Sequence, residues 1–316
     1  ARPTLGVDGR LIVIAGPTAA GKTQAALVVA RRAGAEIVCA DSRTVYRGMD
    51  VGTAKPSPAE RARVPHHLLD VADPAEPFAL ADYQRLAREA IAGIHDRGRI
   101  AILTGGTGLY IRAVVDRVAV PAVAPDWDLR ERLAAEERAG GPGTLHGRLA
   151  AVDREAAERI HPRNVRRIIR ALEVWQATGA PMSSLQDQVR GRRWAPRSAG
   201  SEMVALTMDR EQLRARIDRR IDDQLAAGLV EEVRRLRRAG YGRALPSMQG
   251  LGYKELAAYL DGEMTLDAAV EQLRRNTRRY AKRQLTWFRA DPRYRWLDVD
   301  GEPADRIASR VLEVLP

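Results

Sequence analysis

The sequence predicts an α/β fold: a parallel sheet core that carries an inserted all-helical domain. Short apolar runs at Leu11 to Ala15, Glu36 to Ala40 and Ile100 to Thr104 alternate with helix-forming segments at Thr23 to Ala33 and Ala81 to Arg97, the alternation of parallel strands with crossover helices. A fourth run, Met203 to Met208, returns the chain to the same sheet after a long excursion. That excursion is bordered by two breaker-rich stretches, Pro121 to Pro125 and Gly191 to Pro196.

The first strand runs into Gly16-Pro17-Thr18-Ala19-Ala20-Gly21-Lys22-Thr23, a G-x-x-x-x-G-K-[ST] loop opening a helix. In that context backbone N–H groups and the helix N-terminus face an anion, Lys22 reaches its terminal phosphate, and the Thr23 hydroxyl can hold Mg2+. The core is therefore P-loop NTPase-like. The second strand ends at Asp41, a carboxylate at the carboxyl end of a strand read as the neighbour of the P-loop strand, where open α/β sheets build their sites. Three roles stay open for Asp41: holder of a Mg2+ shell, proton acceptor from a nucleophile, or plain helix N-cap. The third strand runs into Gly105-Gly106-Thr107-Gly108, a second glycine turn at the same edge, which would face the Thr107 hydroxyl to the P-loop.

Between the breaker-rich borders the pattern is helical at Asp126 to Ala139, Thr144 to Val152, Asp153 to Ile160, and Asn164 to Thr178 closed by Gly179. After Met208, Asp209 and Gln212 are spaced as a capping box before a helix at Leu213 to Ala227, and a last long helix spans about Leu266 to Phe288. The expected division is 1–120 for the first part of the core, 121–198 for the helical insertion, and 199–316 for core completion with basic C-terminal helices.

Composition narrows the function. A net charge of +11 over 316 residues points to an anionic partner larger than one nucleotide, most simply a nucleic acid. Only two phenylalanines argue against a Phe-based platform for stacking bases, so shape, phosphate and pocket contacts are expected. One cysteine, Cys39, excludes a disulfide framework and a Cys-rich zinc site and suits a reducing cytosol. With no run near the roughly 18 apolar residues of a membrane span and no secretory pattern at the N-terminus, the expected place is the cytoplasm, without membrane contact. Of 52 basic residues only Lys22, Lys55, Lys254 and Lys282 are lysine; Lys22 fits a place that needs a compact ammonium, and the other three fit that role and an ordinary surface position equally.

Two helices carry basic stripes. Arg163, Arg166, Arg167 and Arg170 line one face of the insertion's last helix, opposite Val165, Ile168, Ile169 and Leu172. In the last long helix Arg274, Arg278 and Lys282 form one row and Arg275, Arg279 and Arg283 another, with no acid between Gln272 and Ala290. The missing acids favour phosphate contact over a merely solvated face, and Trp287 reads as a core anchor. Arg216 and Arg220 sit one turn apart, a spacing that fits either one reaching a bound diphosphate and equally fits an ordinary surface pair. Adjacent His66 and His67 point to opposite sides of an extended chain and read as structural, not as metal ligands.

Seven ordered motifs, GPTAAGKT, ADSRTVYRGMDVGTAKP, PHHLLD, GGTGLY, HPRNVRRIIRALEV, GLGYKE and AKRQLTWFR, closely resemble those of the bacterial tRNA dimethylallyltransferases (tRNA isopentenyltransferases) over almost the whole chain. The resemblance implies transfer of a dimethylallyl group, with Mg2+, from dimethylallyl diphosphate to N6 of the adenosine just 3′ of the anticodon. Gly16 to Thr23 would bind the prenyl diphosphate where a kinase binds ATP, Asp41 matches the catalytic aspartate, and Thr107 lies in the GGT-x-LY motif. Asp41, Ser42, Arg43 and Thr44, then Arg166, Arg167, Ile168, Ile169 and Arg170, then Gln249, Gly250, Leu251, Gly252, Tyr253 and Lys254, and finally Lys282, Arg283, Gln284, Trp287 and Arg289 match its tRNA-contacting stretches. Arg130 and Thr107 match isolated tRNA contacts. Lys22 with Arg216 or Arg220 would stabilise the leaving diphosphate. The resemblance implies action on the anticodon stem-loop, and a monomer is the expected state. Thr44, where many members have Gln or Leu, and Gly108 depart from the family's pattern. A P-loop kinase, an isopentenyltransferase of free adenylates, and a non-catalytic RNA-binding module are the rival readings, and neither free-nucleotide enzyme needs the insertion or the basic stripes.

Overall fold

The structure, a computed structural model, describes residues 10–118, 123, 125–184 and 201–314. Most of the first breaker-rich border and all of the second lie outside the described residues. The chain divides into two compact units, one of Ala1–Phe78, Asp82–Val115 and Pro196–Pro316, the other of Ala79–Ala81 with Asp116–Ala195.

In the first unit the described strands are β1 (Leu11–Ala15), β2 (Glu36–Cys39), β3 (His66–His67), β4 (Ala101–Gly105), β5 (Ser201–Thr207) and β6 (Arg295–Asp298). They form one sheet in the order β3-β2-β4-β1-β5-β6, with every pairing parallel. Strands β1, β2 and β4 are buried almost end to end, which is why they read as unbroken apolar runs. The order corrects one expectation: β2 is not the neighbour of β1, because β4 lies between them. The glycine turn after β4 therefore stands between the P-loop and Asp41.

Helix α1 (Lys22–Ala33) starts from Gly21 and ends at Gly34, both left-handed. It is followed by α2 (Pro58–Arg63), α3 (Leu80–Asp96) and α4 (Gly108–Val115). The second unit holds α5 (Trp127–Gly140), α6 (Thr144–Val152), α7 (Arg154–Arg159) and α8 (Val165–Thr178), packed around Leu133, Leu145, Leu149, Ile168 and Leu172. Back in the first unit come α9 (Arg210–Ala226), α10 (Leu229–Arg238), α11 (Tyr253–Leu260), α12 (Leu266–Arg289) and α13 (Ala304–Glu313). The Asp209 carboxylate caps α9 by accepting from the Glu211 and Gln212 N–H groups. Its cap consists of that carboxylate, and the reciprocal Gln212 bond of the expected capping box is not part of it. No described helix is long and apolar enough to cross a membrane.

Candidate active site

The site is built at the carboxyl ends of β1, β4 and β2. A glycine is required at Gly16, where φ is 142° and a Cβ would stand 2.7 Å from the Leu206 carbonyl oxygen of β5. From there the loop turns into α1, whose first N–H groups have no intrahelical acceptor and point at the loop's concavity. Lys22 Nζ donates to the Pro17 carbonyl at 2.7 Å. Burial, then repulsion from Arg220, lowers its pKa to about 7 against the attraction of Asp41. Those couplings place three charged groups, Lys22, Asp41 and Arg220, in one site. Burial also pulls the Arg220 pKa below its usual value, again against Asp41.

Asp41 is held on both sides by the turn after β4. The Ala40 carbonyl accepts from the Thr107 N–H at 3.1 Å, and the Ser42 N–H donates to the Thr107 hydroxyl at 3.1 Å. Gly105 makes this possible, since a Cβ there would lie 2.0 Å from the Ala40 oxygen. Asp41 Oδ1 accepts from the Arg43 N–H at 2.8 Å. That is an Asx-turn, and no helix begins after it, so the N-cap role is excluded. Of the two arginines one turn apart, Arg220 lies beside Lys22 and Asp41, while Arg216 Nη2 comes within 3.8 Å of where a Cβ on Gly21 would be.

The loop that follows Asp41 is braced by two charges. Lys55 Nζ, with a side chain only 2% exposed, donates to the Tyr46 carbonyl at 2.6 Å and to Asp50 and Asp70 at 2.7 and 2.6 Å. Glu232 is buried and accepts from the Asp50, Val51 and Gly52 N–H groups at 2.8, 2.8 and 3.0 Å, and from the Tyr253 hydroxyl at 2.7 Å. Lysine thus serves as a compact ammonium at Lys22 and Lys55. Lys55→Met would leave the Tyr46 carbonyl without its donor and Asp70 with Arg61 as its remaining partner, and is expected to lower stability by about 2 kcal/mol, read as a shifted midpoint in urea unfolding. The adjacent histidines are structural: His66 Nδ1 bonds the Val64 carbonyl and His67 Nε2 bonds Glu36, both at 2.7 Å. The described residues hold no cluster of three or more His, Cys, Asp or Glu suited to a metal ion.

The residues matched to RNA-contacting stretches divide by exposure. Arg166, Arg167, Gln249, Lys282, Arg283 and Arg289 are exposed, and Ser42, Leu251 and Lys254 are partly so. Thr44, Ile168, Ile169, Gly250, Gly252, Tyr253 and Gln284 are buried, so no side chain of theirs is presented to a partner. A helix face turns away every few residues, and a contiguous stretch cannot point one way. Arg43 donates to the Pro246 carbonyl at 2.6 Å, fixing the Asp41 turn to the 246–247 segment. In the second unit Arg130 grips the buried carboxylate of Glu173 with two bonds of 2.8 Å, and Arg170 joins it. Burial raises the Glu173 pKa, but the hydrogen bonds from Arg130, Arg170 and the Asp126 N–H outweigh it and hold the carboxyl below its usual range. Glu173 thereby orients Arg130 and Arg170, each partly exposed.

Two expectations about α12 are corrected. Arg274 and Arg278 are not a phosphate row: Arg274 pairs with Glu271 of its own helix and with Asp222 of α9, and Arg278 pairs with Asp218 of α9, acids that a reading of α12 alone supplies only at Glu271. The outward cations are Arg275, Arg279, Lys282, Arg283 and Arg289. Trp287 is no core anchor. It is 39% exposed, with its ring edge laid on Gly108, where a Cβ would lie 2.1 Å from Trp287 Cδ1. That contact accounts for glycine at 108. Sequence reasoning also missed Tyr280, beside Thr107; burial, then Asp41, pushes its phenol up to about 12. Its spacing four residues before Gln284 and seven before Trp287 was the available signal.

The family model described as IPP transferase matches residues 44–291, starting just after Asp41. The tRNA dimethylallyltransferase of Desulforudis audaxviator is 53% identical over 290 residues, 92% of each chain. That of Moorella thermoacetica is 48% identical over 317 residues, 99% of this chain and 97% of the other. Among solved structures, the full-length tRNA isopentenylpyrophosphate transferase of Bacillus halodurans is 42% identical with a TM-score of 0.70, covering 97% of this chain and 95% of that one. A eukaryotic dimethylallyltransferase acting on tRNA reaches a TM-score of 0.79 at 26% identity, covering 97% of this chain and 80% of that one. With a P-loop, an aspartate and a threonine turn brought to one sheet edge and these matches spanning nearly the whole length, the chain belongs to the IPP transferase family.

Proposed function

We propose that the protein transfers the dimethylallyl group of dimethylallyl diphosphate to N6 of the adenosine 3′-adjacent to the anticodon in tRNA, acting as a monomer on the anticodon stem-loop. The observation that carries this reading is the joint placement of Asp41, Lys22 and Arg220: a carboxylate able to take a proton faces the cations able to hold a diphosphate. The N6 lone pair forms a bond to the allylic carbon, the carbon–oxygen bond breaks, and its electron pair leaves on the diphosphate. One N–H proton passes to the Asp41 carboxylate. The amino group is a poor nucleophile because its lone pair is delocalised into the ring, so this proton acceptance matters. The loop's N–H groups, Lys22, Arg220 and Arg216 stabilise the departing charge.

The Thr23 hydroxyl, exposed on the first turn of α1, offers a hard oxygen ligand of the kind Mg2+ takes; a Mg2+ held there would neutralise charge on the leaving group. The exposed cations of α8 and α12 suit phosphates of a folded RNA, and turning the target base out of its stack costs a few kcal/mol that such contacts offset.

The test is incubation with radiolabelled dimethylallyl diphosphate, Mg2+ and either an anticodon stem-loop or free AMP and ATP. Label on the stem-loop, lost when the target adenosine is replaced, is expected; label only on free nucleotide would make this an adenylate isopentenyltransferase. For the RNA face, Arg279→Ala with Lys282→Ala is expected to weaken binding and reduce the slope of log K against log salt by about 2. Arg278→Ala, which removes the partner of Asp218, should leave that slope unchanged, and filter binding at several salt concentrations separates the two.

A further inference from the structure

One stripe of α12 lies along the turn after β4, residue by residue. Tyr280, Gln284 and Trp287 stand at i, i+4 and i+7, on one helix face, and meet Thr107, Gly106 and Gly108 in turn. Gln284 does more than pack. Its Nε2 donates to the Gly106 carbonyl at 2.9 Å, and its Oε1 accepts from the Thr18 N–H of the P-loop at 2.8 Å. The side chain is 5% exposed, and a Cβ on Gly106 would stand 2.1 Å from Nε2, so the bracket has no slack. The Thr18 N–H is thereby committed to Gln284, and the loop's conformation depends on a residue far along the sequence.

We infer that Gln284 is a positioning residue: it fixes the separation between the P-loop, which holds the leaving group, and the Gly106–Thr107 turn, which through Thr107 pins Asp41. The inference rests on the prenyl-transfer reading of the site. The chain of bonds is continuous. Thr18 bonds Gln284, Gln284 bonds Gly106, and the next residue, Thr107, bonds both Ala40 and Ser42 on either side of Asp41. Donor and acceptor loops lie on different strands with no covalent link shorter than a crossover, and the amide of Gln284 spans them directly. In-line displacement is sensitive to such spacing, and a misplacement of about 1 Å costs on the order of 100-fold. The same helix turns Lys282 and Arg283 outward, so the residue that aligns the reacting loops is carried by the helix that bears the exposed cations.

The test uses Gln284→Met, which keeps the volume and removes both hydrogen bonds. The expected result is a kcat lower by about 10- to 100-fold with stem-loop Kd within about twofold of wild type. Wild-type turnover, or a loss of RNA affinity matching the loss of rate, overturns the inference. Gln284→Glu adds a readout that a packing role would not move. Protonated, it can donate to Gly106 and accept from Thr18 as Gln does; ionised, it cannot donate. Its activity relative to wild type should rise as pH falls, and a flat ratio overturns the bracket. Should the wild-type protein transfer label to no RNA, the functional reading fails on its own. Gln284 is then judged by calorimetric binding of inorganic diphosphate with Mg2+, expected about 5- to 10-fold weaker in Gln284→Met and, if unchanged, fatal to the inference.

Discussion

Asp41→Asn is expected to lower single-turnover prenyl transfer by about 100- to 10,000-fold, the usual worth of a positioned general base. The substitution isolates the chemistry because it leaves the local structure intact. The amide oxygen can still accept from the Arg43 N–H, and the two bonds that Thr107 makes on either side of residue 41 are to backbone atoms that do not change. What disappears is the capacity to take a proton and the negative charge facing Lys22 and Arg220. Stem-loop affinity, measured by filter binding on the same preparation, should stay within about twofold. A parallel loss of affinity and rate would remove Asp41 from the role of proton acceptor and make it an RNA contact.

Lys22→Met is expected to cost about 100- to 1,000-fold in the same assay, the scale for removing one preorganised group from a developing anion. It also carries a pH signature. In the free protein burial and Arg220 hold the Lys22 pKa at about 7, so the ammonium has lost its proton in much of the population at higher pH. A bound diphosphate favours the charged form and raises that pKa, so binding takes up a proton above pH 7 and none well below it. The wild type's affinity advantage over Lys22→Met for inorganic diphosphate should therefore be full below about pH 7 and shrink as pH rises through it. Calorimetry in buffers of different ionisation enthalpy measures the proton directly. The free protein shows the converse linkage. Between about 7 and the ordinary lysine value of 10.5 the unfolded chain binds the proton that the folded chain does not, so this group adds stability as pH rises through that window. The Met variant lacks that contribution, and its melting curves should show no such gain.

Much of this was legible in the chain. The buried parallel strands announce themselves as apolar runs because both their faces are covered, and the P-loop is a local object whose glycines, lysine and hydroxyl are adjacent in sequence. Asp41 and Thr107 were found because both sit at strand ends, and helix boundaries fell within a few residues because their caps, Asp126, Asp153, Gly179 and Asp209, are local too. Strand β3, two residues long, and β6, with one buried residue, carried too little pattern to be recognised.

The sequence by itself therefore determined the long buried strands and most helices, the P-loop, the basic character and the family, since each depends on residues close together or on composition. Tertiary structure alone decided which charges are free and which are spent. Arg274 and Arg278 read as a phosphate row until α9 supplied Asp222 and Asp218, Lys55 and Glu232 became braces only through a distant loop, and Gln284 joined Thr18 to Gly106 across 266 and 178 residues. The physical reason is that a charge or an amide takes its role from the partner within about 3 Å, and long-range folding, not sequence neighbourhood, chooses that partner.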